Sequence, residues 1–352
     1  MGLASALQRL LRPTSVPDVM AHLPARIILV RHAKSQDLDA VQAEGMPNHA
    51  IPLHQEGEAE AVAAGQRLSQ YLQSTNPHWR VHLFCSPYKR SRQTAALMFG
   101  GLPSARVAGY QEEVLLREQD YGNFVTSAAQ LASAKEERMR FGRFWYRFPS
   151  GESGADVLAR MTLLQDHLVR DMVAGRFEGR DSVVLVTHGL TLRVFLMRWL
   201  HWSVDQFMGV YNPPGAQPLI LEKRAHLPGA DGAGGHHAHE LMRAPFVPTA
   251  TKSLYAMTPA TKALLPGVSD EMASTSTDWA LSKMGVVPAG HHHPHATHHN
   301  RLWTITLNAT AHVPAKQQPL PEPGPAAANS QAAAQALPDG AARKTVESTS
   351  KS

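Results

Sequence analysis

Apolar residues come in short blocks along the first two thirds of the chain, and their spacing separates strands from helices. Ile27-Ile28-Leu29-Val30 is a continuous, mostly β-branched run, which predicts a buried strand over 25–30. Comparable runs predict strands over 80–85 and 182–187, with shorter ones over 105–110 and 218–222. Between them the period changes. Ala61, Ala64, Leu68, Tyr71 and Leu72 recur at helical spacing within 56–72. Helices are also expected over 89–98, in the basic stretch 127–148, from 153 to about 173, and over 190–200 and 204–208. This alternation predicts a three-layer α/β/α sandwich with a mainly parallel central sheet.

The pattern fades near residue 225. Residues 225–300 are rich in Ala, Pro, Gly, His and Thr and read as a low-complexity insertion without structure of its own. Leu302, Trp303, Ile305 and Leu307 then predict a late strand within 301–313, a neighbour of 218–222. Residues 314–352 read as a disordered Ala/Pro/Gln-rich tail, and 1–24 as an extension ahead of the domain at 25–224. That extension lacks acids until Asp18, which resembles an organellar transit peptide, although a short amphipathic helix is the plainer reading. A cytoplasmic location is expected, with organellar targeting as the alternative.

Composition narrows the function classes. A single cysteine, Cys85, excludes an internal disulfide framework and suits a reducing compartment. The formal charge of +5 is scattered, which suits an anionic substrate and argues against nucleic acid. No apolar run approaches the roughly 18–20 residues that span a bilayer, so no membrane partner is expected.

The chemistry gathers where strands end. In an open α/β sheet, ligands bind beyond the carboxyl ends of the strands. Two strands deliver histidines there: Arg31-His32 comes after one and His188-Gly189 after the other. Arg90 lies just past the strand at 80–85, and Glu118 lies in a polar loop after the strand at 105–110. Together these residues make a phosphoryl-transfer set. A neutral imidazole can attack phosphorus, guanidinium groups bind phosphate oxygens, and a protonated carboxyl can supply the leaving alkoxide with a proton. Positive charge comes from the arginines, so no metal and no cofactor are expected.

These residues stand in motifs. Arg31-His32-Ala33-Lys34-Ser35 resembles the Arg-His-Gly-x-Ser motif of the histidine phosphatase superfamily, which includes cofactor-dependent phosphoglycerate mutase. Ser86, Arg90, Gln93, Thr94 and Ala95 match its second motif; Glu118, Tyr121 and Gly122 its acid loop; Gly151-Glu152-Ser153 and His188-Gly189 the rest. The stretches 117–124, 140–149 and 194–200 resemble a phosphoglycerate-mutase-like branch from plants and lower eukaryotes. The resemblance implies a phosphoglycerate-mutase-like fold, His32 as nucleophile, Glu118 as proton donor, and Arg31, Arg90 and His188 on the phosphoryl group. It offers Ser35, Tyr121, Glu152, Ser153 and Gly189 as further substrate contacts. Two positions depart from the pattern: Ala33 replaces the usual glycine, and Leu38 stands where many members carry asparagine.

Plainer roles compete with these at several positions. A lone histidine after a strand is usually structural, but two inside ordered motifs are better explained by catalysis. Cys85 lies one residue out of register with the spacing of a cysteine phosphatase and reads as a core thiol. Arg140, Arg143 and Arg147 read as a solvated helix face, the alternative being a rim for the substrate's far end. The run His291, His292, His293, His295, His298 and His299 reads as incidental and not as a metal site.

The expected activity is a metal-independent phosphomonoesterase acting on a phosphorylated small molecule or phosphoprotein, with a bell-shaped pH profile. The alternatives are a phosphoglycerate-type mutase and a catalytically weak phospho-ligand-binding scaffold. Oligomeric state is left open.

Overall fold

The computed structural model describes residues 22–36, 46–122, 128–224 and 251–274. Six strands form one sheet in the order β3-β2-β4-β1-β5-β6. β1 (Arg26–Arg31), β2 (Arg80–Cys85), β3 (Val107–Glu112) and β4 (Asp181–Thr187) run parallel. β5 (Pro218–Lys223) and β6 (Tyr255–Met257) complete one side of the sheet antiparallel. The three-layer, mainly parallel architecture is the one expected.

β1 and β4 are central and covered on both faces. Ile27 and Leu29 join Val183 and Leu185 in one core, while Ile28 and Val30 join Val184 and Val186 in the other. Alternate residues point to opposite faces, so a strand covered twice must be apolar throughout. Burying each such Val, Leu or Ile is worth about 1.5–3 kcal/mol, which makes these two strands a rigid mount for the residues at their carboxyl ends.

Helices supply the outer layers. α1 (Gln55–Thr75) and α2 (Lys89–Phe99) cover one face through Ala61, Ala64, Leu68, Ala95 and Met98. α3 (Ala128–Phe141) lies within the β3–β4 connection. α4 (Gly154–Val173) and α5 (Gly189–Trp199) cover the other face through Val157, Met161, Leu164, Val194 and Phe195. Two short helices come later in the chain, α6 (Val204–Gly209) and α7 (Pro259–Ala263).

Three differences from the sequence expectation have physical causes. β3 starts at Val107, because Ser104–Arg106 first make a 3-10 turn. The helix expected to reach 148 ends at Phe141, where Gly142 takes φ 91°, a left-handed conformation that ends helices. Part of the expected insertion is folded: β6 pairs with β5, and Leu254, Tyr255, Leu265 and Met272 enter the core. Tyr255 donates to Pro24 O at 2.7 Å and Trp202 Nε1 to Met272 O at 2.7 Å. The neighbour of β5 is thus β6, and three residues within an Ala/Thr/Ser/Pro-rich stretch carry too short a period to read. The expected strand 301–313, the tail, the His-rich run, Leu38 and residues 1–21 lie outside the described residues. No helix among the described residues is long and apolar enough to cross a membrane.

Candidate active site

Sheet register assembles the site. β1 and β4 pair with Arg31 opposite Thr187, so His32 and His188 emerge side by side. Their rings lie 5.1 Å apart between centroids, in an edge-to-face arrangement. β2 pairs with β4 up to Cys85 opposite Val186, and the Ser86 N–H then donates to Val186 O at 2.9 Å. This places Ser86, and the start of α2 with Arg90, against the same two rings.

His32 is 8% exposed. Its Nδ1 lies 2.8 Å from the carbonyl oxygen of Ala33, which only accepts, so Nδ1 carries the proton. Nε2 is therefore unprotonated, and its lone pair accepts from Arg90 Nε at 3.2 Å. Burial first, then the Arg90 charge, pushes the His32 pKa down from 6.5 to about 3. The Ala33 N–H is held by Thr94 Oγ1 at 3.1 Å. Ala33 does not sit in the left-handed region, so the missing glycine imposes no backbone strain.

His188 has no solvent exposure and stands at the N-terminus of α5. Its Nε2 lies 2.8 Å from Ser86 Oγ and 3.3 Å from Ser91 Oγ, while its Nδ1 has no partner among the described residues. Burial, then the charge of Arg90, holds its pKa well below the usual histidine range. The ring of Tyr88 packs edge-to-face on it at 5.0 Å.

The two arginines are held by backbone carbonyls. Arg90 is 3% exposed, donates from Nη1 to Asn48 O at 2.7 Å, and lies over the Tyr88 ring. Arg31 donates from Nη1 to Pro213 O at 2.9 Å, and its buried Nε has no partner among the described residues. Arg31, His32 and Ser35 line a cavity of about 390 Å³ together with Gln36, Glu60 and Gly215. Buried guanidinium donors beside a bare imidazole nitrogen suit a phosphoryl group, whose oxygens accept and whose phosphorus is attacked.

Glu118 is 8% exposed and reaches this cluster from the loop after β3. Its Oε1 accepts from the Gln119 N–H at 3.0 Å, and Thr191 Oγ1 lies 3.5 Å away. Tyr121 packs edge-to-face on Phe148, and burial raises its hydroxyl pKa. Gly122 sits at φ 82°, and a Cβ there would come within 2.0 Å of Pro149 O, so the loop crosses tightly over the 149–152 segment.

That segment gives two of the expected substrate contacts structural partners. The Glu152 carboxylate is engaged by Arg117, by Arg160 Nε at 3.1 Å and by the Asp120 N–H at 3.0 Å. It braces the acid loop. Ser153 caps α4, with its hydroxyl engaged by Asp156 in a reciprocal pair. Gly189 also has a packing reason, since a Cβ there would lie 2.6 Å from Asn212 Oδ1. Asn212 in turn accepts from Arg193 Nε at 2.8 Å.

The arginines of 138–147 do not form one face. Arg147 pairs with Asp156 at 2.7 Å, Arg143 donates to Met208 O and lies over Tyr211, and Arg138 lies over Phe148. Sequence reasoning did not single out Ser86, Ser91 or Thr94 as site residues. Ser86 and Thr94 stood in the second motif, so the signal was present. What was missing was the β2–β4 register that turns Ser86 toward His188.

Residues 27–216 match the model of the histidine phosphatase superfamily (branch 1). Phosphoglycerate mutase-like protein AT74 of Arabidopsis thaliana is 43% identical over 207 residues, 57% of this chain and 65% of that protein. The matched region thus spans just under two thirds of that relative. AT74H, also of Arabidopsis thaliana, is 39% identical over 230 residues, 62% of this chain and 81% of that protein. Broad-range acid phosphatase DET1 of Saccharomyces cerevisiae is 40% identical over 114 residues, 32% of this chain and 34% of that protein.

Proposed function

The chain belongs to the histidine phosphatase superfamily, branch 1, and from that premise we propose that it is a metal-independent phosphomonoesterase working through a phosphohistidine on His32. The observation that carries this reading is the His32 ring: Nδ1 bound to Ala33 O at 2.8 Å and Nε2 unprotonated, accepting from Arg90 Nε at 3.2 Å. Such a ring is a neutral nucleophile already aimed.

The reaction divides into two displacements. His32 Nε2 forms a bond to phosphorus as the bond to the leaving oxygen breaks. Glu118, protonated, gives that oxygen its proton. Arg31 and Arg90 neutralise charge on the phosphoryl oxygens, the task that magnesium performs in other phosphoryl-transfer sites. Water then attacks phosphorus, the N–P bond breaks, and the Glu118 carboxylate takes the proton from water. Inorganic phosphate leaves, and His32 and Glu118 return to their starting forms.

The activity that names DET1, a broad-range acid phosphatase, supports hydrolysis over transfer to a second acceptor. The names of the two Arabidopsis relatives keep a mutase as the second reading, one that requires the phosphohistidine to outlast contact with water. The substrate class is a phosphorylated small molecule or phosphoprotein.

Hydrolysis of an aryl phosphate in EDTA, wild type beside His32→Ala, tests the proposal. Wild-type turnover should persist, and the variant should lose about a thousandfold or more. Turnover that needs an added metal, or survives in the variant, would refute it.

A further inference from the structure

His188 is buried beside the nucleophile with one nitrogen facing hydroxyls and the other facing no partner among the described residues, and that asymmetry has chemical content. We propose that Ser86 is a positioning residue that fixes His188 with its proton on Nδ1, so that the ring meets the phosphoryl group as a neutral hydrogen-bond donor. This deepens the phosphohistidine reading and rests on it.

Hydrogen-bond accounting around Ser86 allows this arrangement, and the partnerless Nδ1 favours it. A serine hydroxyl has one proton to give and two lone pairs. The Tyr88 N–H can only donate, and it points at Ser86 Oγ at 3.4 Å, occupying a lone pair. The Ser86 proton is then available to His188 Nε2, 2.8 Å away, and is received there when Nε2 offers its lone pair. Ser91 Oγ, at 3.3 Å from the same nitrogen, is a longer and weaker second contact. With Nε2 serving as acceptor, the proton of a neutral imidazole lies on Nδ1.

The opposite tautomer fits badly. It would leave a bare lone pair on Nδ1, a buried acceptor with no partner among the described residues. Beside an incoming phosphoryl group it would face oxygens that are also acceptors. An Nδ1–H meets the same oxygens favourably and resolves its own unsatisfied burial. The doubly protonated ring is disfavoured by the lack of solvent exposure and by the neighbouring Arg90.

Register makes the contact robust. Ser86 comes directly after β2 and His188 directly after β4, with Cys85 and Val186 paired in between. The Ser86 N–H is fixed to Val186 O, so its side chain has little freedom to leave the imidazole. Ser86 is itself fully buried.

The test reads the tautomer and the rate separately. In protein labelled with ¹⁵N-histidine, NMR of the resting wild type should show His188 Nδ1 as an N–H nitrogen and Nε2 as a lone-pair nitrogen. Inorganic phosphate should move the Nδ1–H resonance. In Ser86→Ala the proton should redistribute toward Nε2, and kcat on an aryl phosphate should fall about ten- to a hundredfold with KM nearly unchanged, the range seen when a supporting hydrogen bond is lost. Ser86→Thr, which keeps the hydroxyl, should restore the wild-type tautomer. A wild-type ring protonated on Nε2 would overturn the proposal. So would a fall in kcat with the tautomer unchanged, which is what loosened packing would produce. If the wild type turned over no phosphate ester, the phosphatase reading would fail, while the resting spectrum would still decide the tautomer.

Discussion

The carboxyl ends of β1 and β4 are near copies of each other. Both strands are apolar and buried on two faces, both end in a histidine, and the two rings lie 5.1 Å apart. Their surroundings differ in which ring nitrogen the protein ties. At the end of β1, Nδ1 of His32 is tied to the Ala33 carbonyl, which leaves Nε2 unprotonated, with its lone pair toward Arg90. At the end of β4, Nε2 of His188 is tied to serine hydroxyls, which leaves Nδ1 without a partner among the described residues. One ring is left with a lone pair and, in the tautomer proposed for His188, the other with a proton. The comparison teaches that the role of a buried histidine is set by the partner of its other nitrogen.

The comparison can be broken at either end. The largest effect is expected from His32→Ala, which removes the bond-forming atom and should cost about a thousandfold or more in kcat. His188→Ala removes a donor and no bond-forming atom. Its expected cost is about a hundred- to a thousandfold in kcat, with residual phosphorylation of His32 still detectable in a rapid quench. Equal losses in the two variants, with no phosphoenzyme in either, would erase the distinction.

Glu118→Gln sharpens the account from the leaving-group side. An alkyl phosphate needs a proton as it leaves and should slow by about a hundredfold or more, whereas an aryl phosphate should slow by less than about tenfold. The same loss on both substrates would remove Glu118 from the acid role.

The smallest effect concerns pH. His32 must be neutral to attack, and its pKa is pushed down from 6.5 to about 3. Its folded value is depressed, so the active form survives to lower pH. On the acid side, the fall in kcat/KM caused by protonation of His32 should therefore appear only below about pH 4. An acid limb near the ordinary histidine value would contradict the buried environment described for His32.

Some of this was legible in the amino-acid chain and some was not. The continuous apolar runs of β1 and β4 announce strands covered on both faces, and the Arg31-His32 and His188-Gly189 pairs announce the chemistry beyond them. Local signals of that kind survive without knowledge of the fold. The bracing by Glu152 and the capping by Ser153 were not legible, because a Gly-Glu-Ser triplet looks the same whether it touches a ligand or braces a loop. Only the positions of Arg160 and Asp156 decide. Ser86 was visible as a motif residue, but its contact with His188 depends on a strand pairing about a hundred residues away in sequence. β6 was missed for a different reason. Three residues pair with β5 through backbone groups that any sequence possesses, and their burial depends on a core built elsewhere.

The most direct measurement is a rapid quench with a ³²P-labelled phosphomonoester, then mapping of the labelled peptide. The account predicts acid-labile, base-stable label on the peptide containing His32, absent from His32→Ala and present at a lower level in His188→Ala. Label on His188, or turnover without a phosphoenzyme under conditions that trap one, would contradict it.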